Sequence, residues 1–129
     1  MPVTVSALGT SVALSGDGLW GAASAHEQVV VFALRGGTWS IDHTIPLPGS
    51  SVIAVALDGD GSHLVIGDGG SRSAWLVVRQ PTFGEPLRLM PRMDVAGSEF
   101  GAAVAIAATG TRIAVGAPGA ARVILFDVN

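Results

Sequence analysis

Three short stretches decide the architecture: Ser11-Val12-Ala13-Leu14-Ser15, Ala54-Val55-Ala56-Leu57-Asp58 and Ala103-Val104-Ala105-Ile106-Ala107. They align without a gap. Val12 and Val55 lie 43 residues apart, and Val55 and Val104 lie 49 apart. Each run is short and rich in Val, Leu, Ile and Ala. Each ends on a turn signal: Gly16-Asp17-Gly18, Gly59-Asp60-Gly61 and Thr109-Gly110-Thr111. Short apolar runs closed by Gly and Asp read as β-strands entering hairpins. No stretch carries a helical period, and even the alanine-rich run at 102–108 is bracketed by Phe100-Gly101 and Thr109-Gly110.

Working outward, a second strand follows each turn. It aligns as Leu19-Trp20-Gly21-Ala22, Leu64-Val65-Ile66-Gly67 and Ile113-Ala114-Val115-Gly116. A third follows as Val29-Val30-Val31-Phe32, Ala74-Trp75-Leu76-Val77 and Val123-Ile124-Leu125-Phe126. Ten residues separate Ala22 from Phe32, Gly67 from Val77 and Gly116 from Phe126. A fourth strand follows in two repeats. It is expected at Trp39–Leu47, where polar and apolar residues alternate, and at Pro86–Met90, where prolines suit an edge. Four-stranded repeats of this length are propeller blades. The expected class is therefore all-β, a β-propeller with three four-stranded blades: 10–48, 49–92 and 93–129. Residues 1–9, with Val3-Thr4-Val5, read as the outer strand of a preceding blade.

Composition supports a packed β domain. Of 129 residues, 49% are hydrophobic and 13% charged, so the chain can bury a core and does not read as disordered. All 7 cations are arginines, set against 10 acidic residues, and the net charge of −3 argues against a nucleic-acid surface. Without cysteine there is no disulfide framework, thiol nucleophile or cysteine metal site. No signal peptide or membrane-length apolar run is read in the chain. A cytoplasmic location is expected if this is the whole product, and an extracellular one if it is excised from a longer chain.

Phe100-Gly101 followed by Gly116-Ala117-Pro118 resembles the FG-GAP repeat of integrin-α-like β-propellers. Ser11–Asp17 and Val31-Phe32 with Gly36-Gly37-Thr38-Trp39 look like its bacterial branch. The resemblance implies a binding platform rather than an enzyme. It also implies that calcium is the metal to test, because many such blades carry an Asp-rich loop after the first strand. Here Asp58 and Asp60 are the calcium candidates. They supply two carboxylates where calcium takes six to eight oxygens, and Ser15-Gly16-Asp17-Gly18 reads as a shortened loop. A tight turn is the preferred reading, with no cofactor.

Three blades do not close a ring, since propellers typically have four to eight. Two copies would make six, and each chain's first strand would complete the last blade of its partner. No nucleophile motif accompanies His26, His43 and His63, and His43 is expected on the exposed outer strand. Candidate ligand contacts on the loop face are His26, Glu27, Asp68, Arg72 and Glu99, with Trp20 as a possible aromatic platform. Three functional readings follow: a self-assembling, non-catalytic interaction module; a carbohydrate-binding, lectin-like propeller; and an engineered or excised fragment without a ligand. The expected partners are a second copy and a protein or glycan, with no nucleic acid and no membrane insertion.

Overall fold

The computed structural model describes residues 7–50, 54–91 and 99–128. Their regular structure is β apart from one short 3₁₀ turn, Pro118–Ala120. Blade 1 is β1 (Val12–Leu14), β2 (Trp20–Ala25), β3 (Gln28–Arg35) and β4 (Thr38–Pro46). Blade 2 is β5 (Ala54–Leu57), β6 (His63–Asp68), β7 (Ser73–Val78) and β8 (Leu87–Arg88). Blade 3 is β9 (Ala103–Ile106), β10 (Arg112–Ala117) and β11 (Arg122–Asp127). Each sheet is an antiparallel meander in chain order, four-stranded in blades 1 and 2 and three-stranded among the described residues of blade 3. The inner strands β1, β5 and β9 lie side by side. Val3–Val5, and with it the strand expected at the amino end, falls outside the described residues, while Ala7 lies in a turn. β8 is shorter than expected, because Pro86 and Pro91 remove ladder donors on either side of it.

Strand pairing corrects one alignment. Val12 faces Ala23 and Val55 faces Ile66, so Trp20 is equivalent to His63 and Gly21 to Leu64. The expected alignment of the second strand in blade 1 is therefore displaced by two residues. Part of the length difference between blades 1 and 2 sits in the loop after the second strand and the rest after the third strand, none of it in the first turn. That turn has one length throughout, with Gly18, Gly61 and Gly110 at φ of 74°, 73° and 74°.

Side-chain parity gives each blade two unlike faces. Val55, Leu57, Leu64, Ile66 and Val77 point at blade 1, and Val104, Ile106, Ile113, Val115 and Ile124 point at blade 2. These aliphatic faces meet faces of the preceding blades that are small in places, at Ala13 and Ala22 in blade 1 and Gly67 and Ala74 in blade 2, and aliphatic in others, at Val29 and Val31 in blade 1 and Val65 and Leu76 in blade 2. Gly67 shows how close the approach is. A Cβ there would lie 2.2 Å from the Gly101 carbonyl oxygen and 2.8 Å from Val104 Cγ1. Backbone bonds join the blades near the first turns, with Asp17 N–H donating to Gly59 O at 2.9 Å and Gly59 N–H to Ala108 O at 2.8 Å.

Gly67→Ala is expected to overpack this junction and cost about 1–3 kcal/mol. Gly84→Ala, whose new methyl would sit 3.7 Å from Val78 O, is expected to stay within about 0.5 kcal/mol of wild type. Denaturant midpoints of the two variants measure the difference.

Candidate functional site

One end of the barrel-like stack is formed by the first turns. Ser15, Asp58 and Ala107 are equivalent, and each donates its N–H to the carbonyl across the hairpin: Trp20, His63 and Arg112. The turn therefore tolerates a hydroxyl, a carboxylate or a methyl at this position. In blade 2 the carboxylate is fully engaged. Asp58 Oδ1 accepts the His63 N–H at 3.0 Å, and Oδ2 accepts from the Ser62 hydroxyl at 3.2 Å and lies 2.7 Å from His63 Nδ1. Asp60 Oδ1 accepts the Ser62 N–H at 3.0 Å. Asp58 is buried and turned into the junction with blade 3, away from its would-be calcium partner Asp60 at the exposed tip. In blade 1, Asp17 Oδ1 takes the Ser15 hydroxyl at 2.6 Å and the Leu19 N–H at 2.9 Å. The Ser15 hydroxyl, then the Leu19 N–H, hold this carboxyl below its ordinary value of 3.8. What Asp17 adds to stability is present above that value and is lost as pH falls through the lower folded one.

A covering contact repeats along this end. Trp20 lies on Gly61 of the next blade, where a Cβ would come within 2.6 Å of the indole. The Asp58–His63 pair lies on Gly110 in the same way, at 2.7 Å. Trp20 also has Arg79 over its ring at 4.2 Å, Arg35 at 5.6 Å and Phe83 edge-on at 6.0 Å. Arg79 donates to Asp60 O and Gly61 O, and Arg35 pairs with Asp42. Trp20 is thus a packed element of the blade 1–blade 2 junction, at the opposite end from the other candidate contacts. His43, expected on an exposed strand, is half-buried and stacks on Phe83 at 6.1 Å beside a cleft of about 310 Å³.

The other five candidates share the opposite end. Glu27 and Arg72 are equivalent and sit just before a third strand with φ of 57° and 51°; Ala121 matches them at 54°. Glu99 has φ of 57° in the loop before β9. Glu27 ties two loops together: its N–H donates to Ser50 O at 3.2 Å, its O accepts the Leu47 N–H at 2.7 Å and its Oε1 accepts the Gly49 N–H at 3.2 Å. His26 beside it is exposed. Asp68 is buried and caps its own loop through Gly70 N–H, Ser71 N–H and the Ser71 hydroxyl. Gly101 packs against Ser73 O and Asp68 N, which brings the loops of Asp68, Arg72 and Glu99 together. The FG-GAP-like residues meet here as well, since Gly101 N–H donates to Gly116 O at 3.0 Å.

Sequence reasoning anticipated exposed end blades but did not identify the side chains on them. On the outer side of blade 1, Val12 and Leu14 are 70% and 69% exposed, whereas the equivalent Val55 and Leu57 are 7% and 8% exposed. With Gly21, Ala23, Phe32 and Trp39 they line a cleft of about 630 Å³. On the outer side of blade 3, Val123 and Leu125 are 68% and 75% exposed, around a smaller hollow that includes Ala105, Arg112 and Ala114.

Trp20→Ala is expected to destabilise the fold by about 3 kcal/mol by emptying the blade 1–blade 2 junction, read as a denaturant midpoint shift.

No protein-family model matches the chain, and no curated protein matches it. Solved structures do. Hydrazine synthase of Kuenenia stuttgartiensis superposes with a TM-score of 0.63 at 15% identity, over 99% of this chain and 34% of that one. The β-propeller domain of Myceliophteria thermophila Cps50 (Swd1) superposes with a TM-score of 0.69 at 13% identity, over 92% of this chain and 37% of that one. This chain spans about a third of each, and at these identities the likeness is one of fold: three blades of a β-propeller.

Proposed function

We propose that the chain is a non-catalytic β-propeller interaction module that closes by self-assembly into a six-bladed ring of two copies. The observation that carries this reading is the unlike character of the two open faces. Blade 1 exposes Val12 and Leu14 at the positions that Val55 and Leu57 bury in blade 2, beside Gly21 and Ala23 of its second strand and Phe32 of its third. Blade 3 exposes a face that is small in its two inner strands, at Ala103, Ala105, Ala114 and Gly116, and aliphatic in its third, at Val123 and Leu125, as blade 1 presents Ala13 and Ala22 with Val31 to blade 2. The two ends of one chain are therefore complementary, and a second copy satisfies both. Exposed apolar surface of this extent favours association.

The outer edge of β11 fits the same reading. It is equivalent to the edge of β3 that β4 covers over eight residue pairs in blade 1. In the ring, Val3–Val5 of the partner would add this strand, and the FG-GAP relationship of Phe100-Gly101 and Gly116–Pro118 belongs to the same proposal. A non-catalytic role is supported by the geometry of the His63–Asp58 pair. Ser62 Oγ stands 3.0 Å from His63 Nδ1, the nitrogen already used by Asp58, whereas a triad places its nucleophile on the other ring nitrogen.

Sedimentation equilibrium over a range of concentrations tests the reading. A mass of twice the 13.0 kDa chain is expected, falling to one chain for Leu14→Asp with an unchanged far-ultraviolet spectrum. A wild-type chain that stays single at every concentration overturns it.

A further inference from the structure

We propose that Arg112 determines the junction between copies: its guanidinium stands over the partner's Gly18 and pairs with the partner's Asp17. This rests on the head-to-tail reading above and adds the contact that fixes its register.

A covering contact repeats along the first turns. The residue that opens the second strand of one blade covers the positive-φ glycine of the next: Trp20 covers Gly61, and His63, with Asp58, covers Gly110. Arg112 is the third member of this series and opens β10 on the side of blade 3 that also carries Ala114. Gly18 is the third glycine. Its turn has the same φ, 74°, yet among the described residues, its chain neighbours aside, no atom lies within 4 Å of the place a Cβ would take. Among the described residues, then, Arg112 is a covering residue without a glycine and Gly18 a glycine without a cover, at the two opposite faces.

Charge and length fit. Asp17 is an exposed carboxylate beside Gly18, and the charges it already feels, Asp60 and Arg79, lie toward blade 2. Among the described residues Arg112 pairs with Asp127, at 3.4 Å, and both side chains are exposed. This turn type has already accepted a guanidinium, since Arg79 donates to both carbonyls at the tip of the blade 2 turn. In blade 1, Leu34 stands where Arg79 stands in blade 2, so the tip of that turn has no arginine of its own. The junction must also be wider than the internal ones. Gly16 and Gly59 are equivalent, and a Cβ at Gly59 would lie 2.7 Å from the next turn's carbonyl. Blade 3 has Ala108 at this position, whose methyl keeps the following turn at a distance that a long arginine spans.

Arg112→Glu, Asp17→Arg and the double variant separate the possibilities by sedimentation equilibrium. Each single variant is expected to weaken the dimer about tenfold, and the double variant to return it to within a few-fold of wild type. The wild-type dimer is expected to weaken with added salt. A wild-type dimer that Arg112→Glu leaves unchanged, while Leu14→Asp still dissociates it, overturns the Arg112–Asp17 contact and leaves the ring standing. Failure of the double variant to recover also overturns the contact. A wild-type chain that never dimerises removes the ring and the contact together.

Discussion

The fold depends on one packing constraint: the aliphatic face of each blade must settle on a face of the blade before it that is small in places. Val104 above Gly67 is the clearest case, where even a methyl group on the glycine would collide with Val104 and with the Gly101 backbone. Close-packed sheets cannot absorb such a collision without shifting backbone. The constraint makes the stack directional. It also explains why alanine and glycine are concentrated in the inner and second strands, while valine, leucine and isoleucine occupy the alternate positions.

The two ends of the stack are built differently. At the first-turn end the backbone geometry repeats closely, and identity varies on top of it: serine, aspartate or alanine at one position, tryptophan, histidine or arginine at another. Trp20 and the Asp58–His63 pair each cover a glycine of the next blade. At the other end, left-handed positions are held by Glu27, Arg72, Glu99 and Ala121 rather than by glycine alone; the backbone of Glu27 ties two loops together, and those of Arg72, Glu99 and Ala121 close their own turns.

Much of this is legible in the chain. The strand runs, the turn glycines and the three-blade period follow from Val12, Val55 and Val104 and the turns after them. The register of the second strand in blade 1 does not. Gly21, Ala22 and Ala23 are all small, so no bulky residue sets the phase, and a displacement of two residues preserves both parity and apparent spacing. The roles of Trp20 and His43 were hidden for another reason. Trp20 packs on Phe83 and Arg79 and His43 on Phe83, residues that lie in the next blade and tens of residues away in sequence. The burial of Asp58 likewise follows from the turn of blade 3 that packs over it.

In the proposed ring association is head to tail, joining the Val12–Leu14 face of one copy to the Val123–Leu125 face of the other. Mixing two variants tests it most directly: Leu14→Asp, which blocks the first face, and Leu125→Asp, which blocks the second. Each alone should sediment as a single chain, and an equimolar mixture should form a heterodimer through its one intact junction. A Leu125→Asp chain that dimerises as well as wild type would show that blade 1 pairs with itself, and would contradict the account.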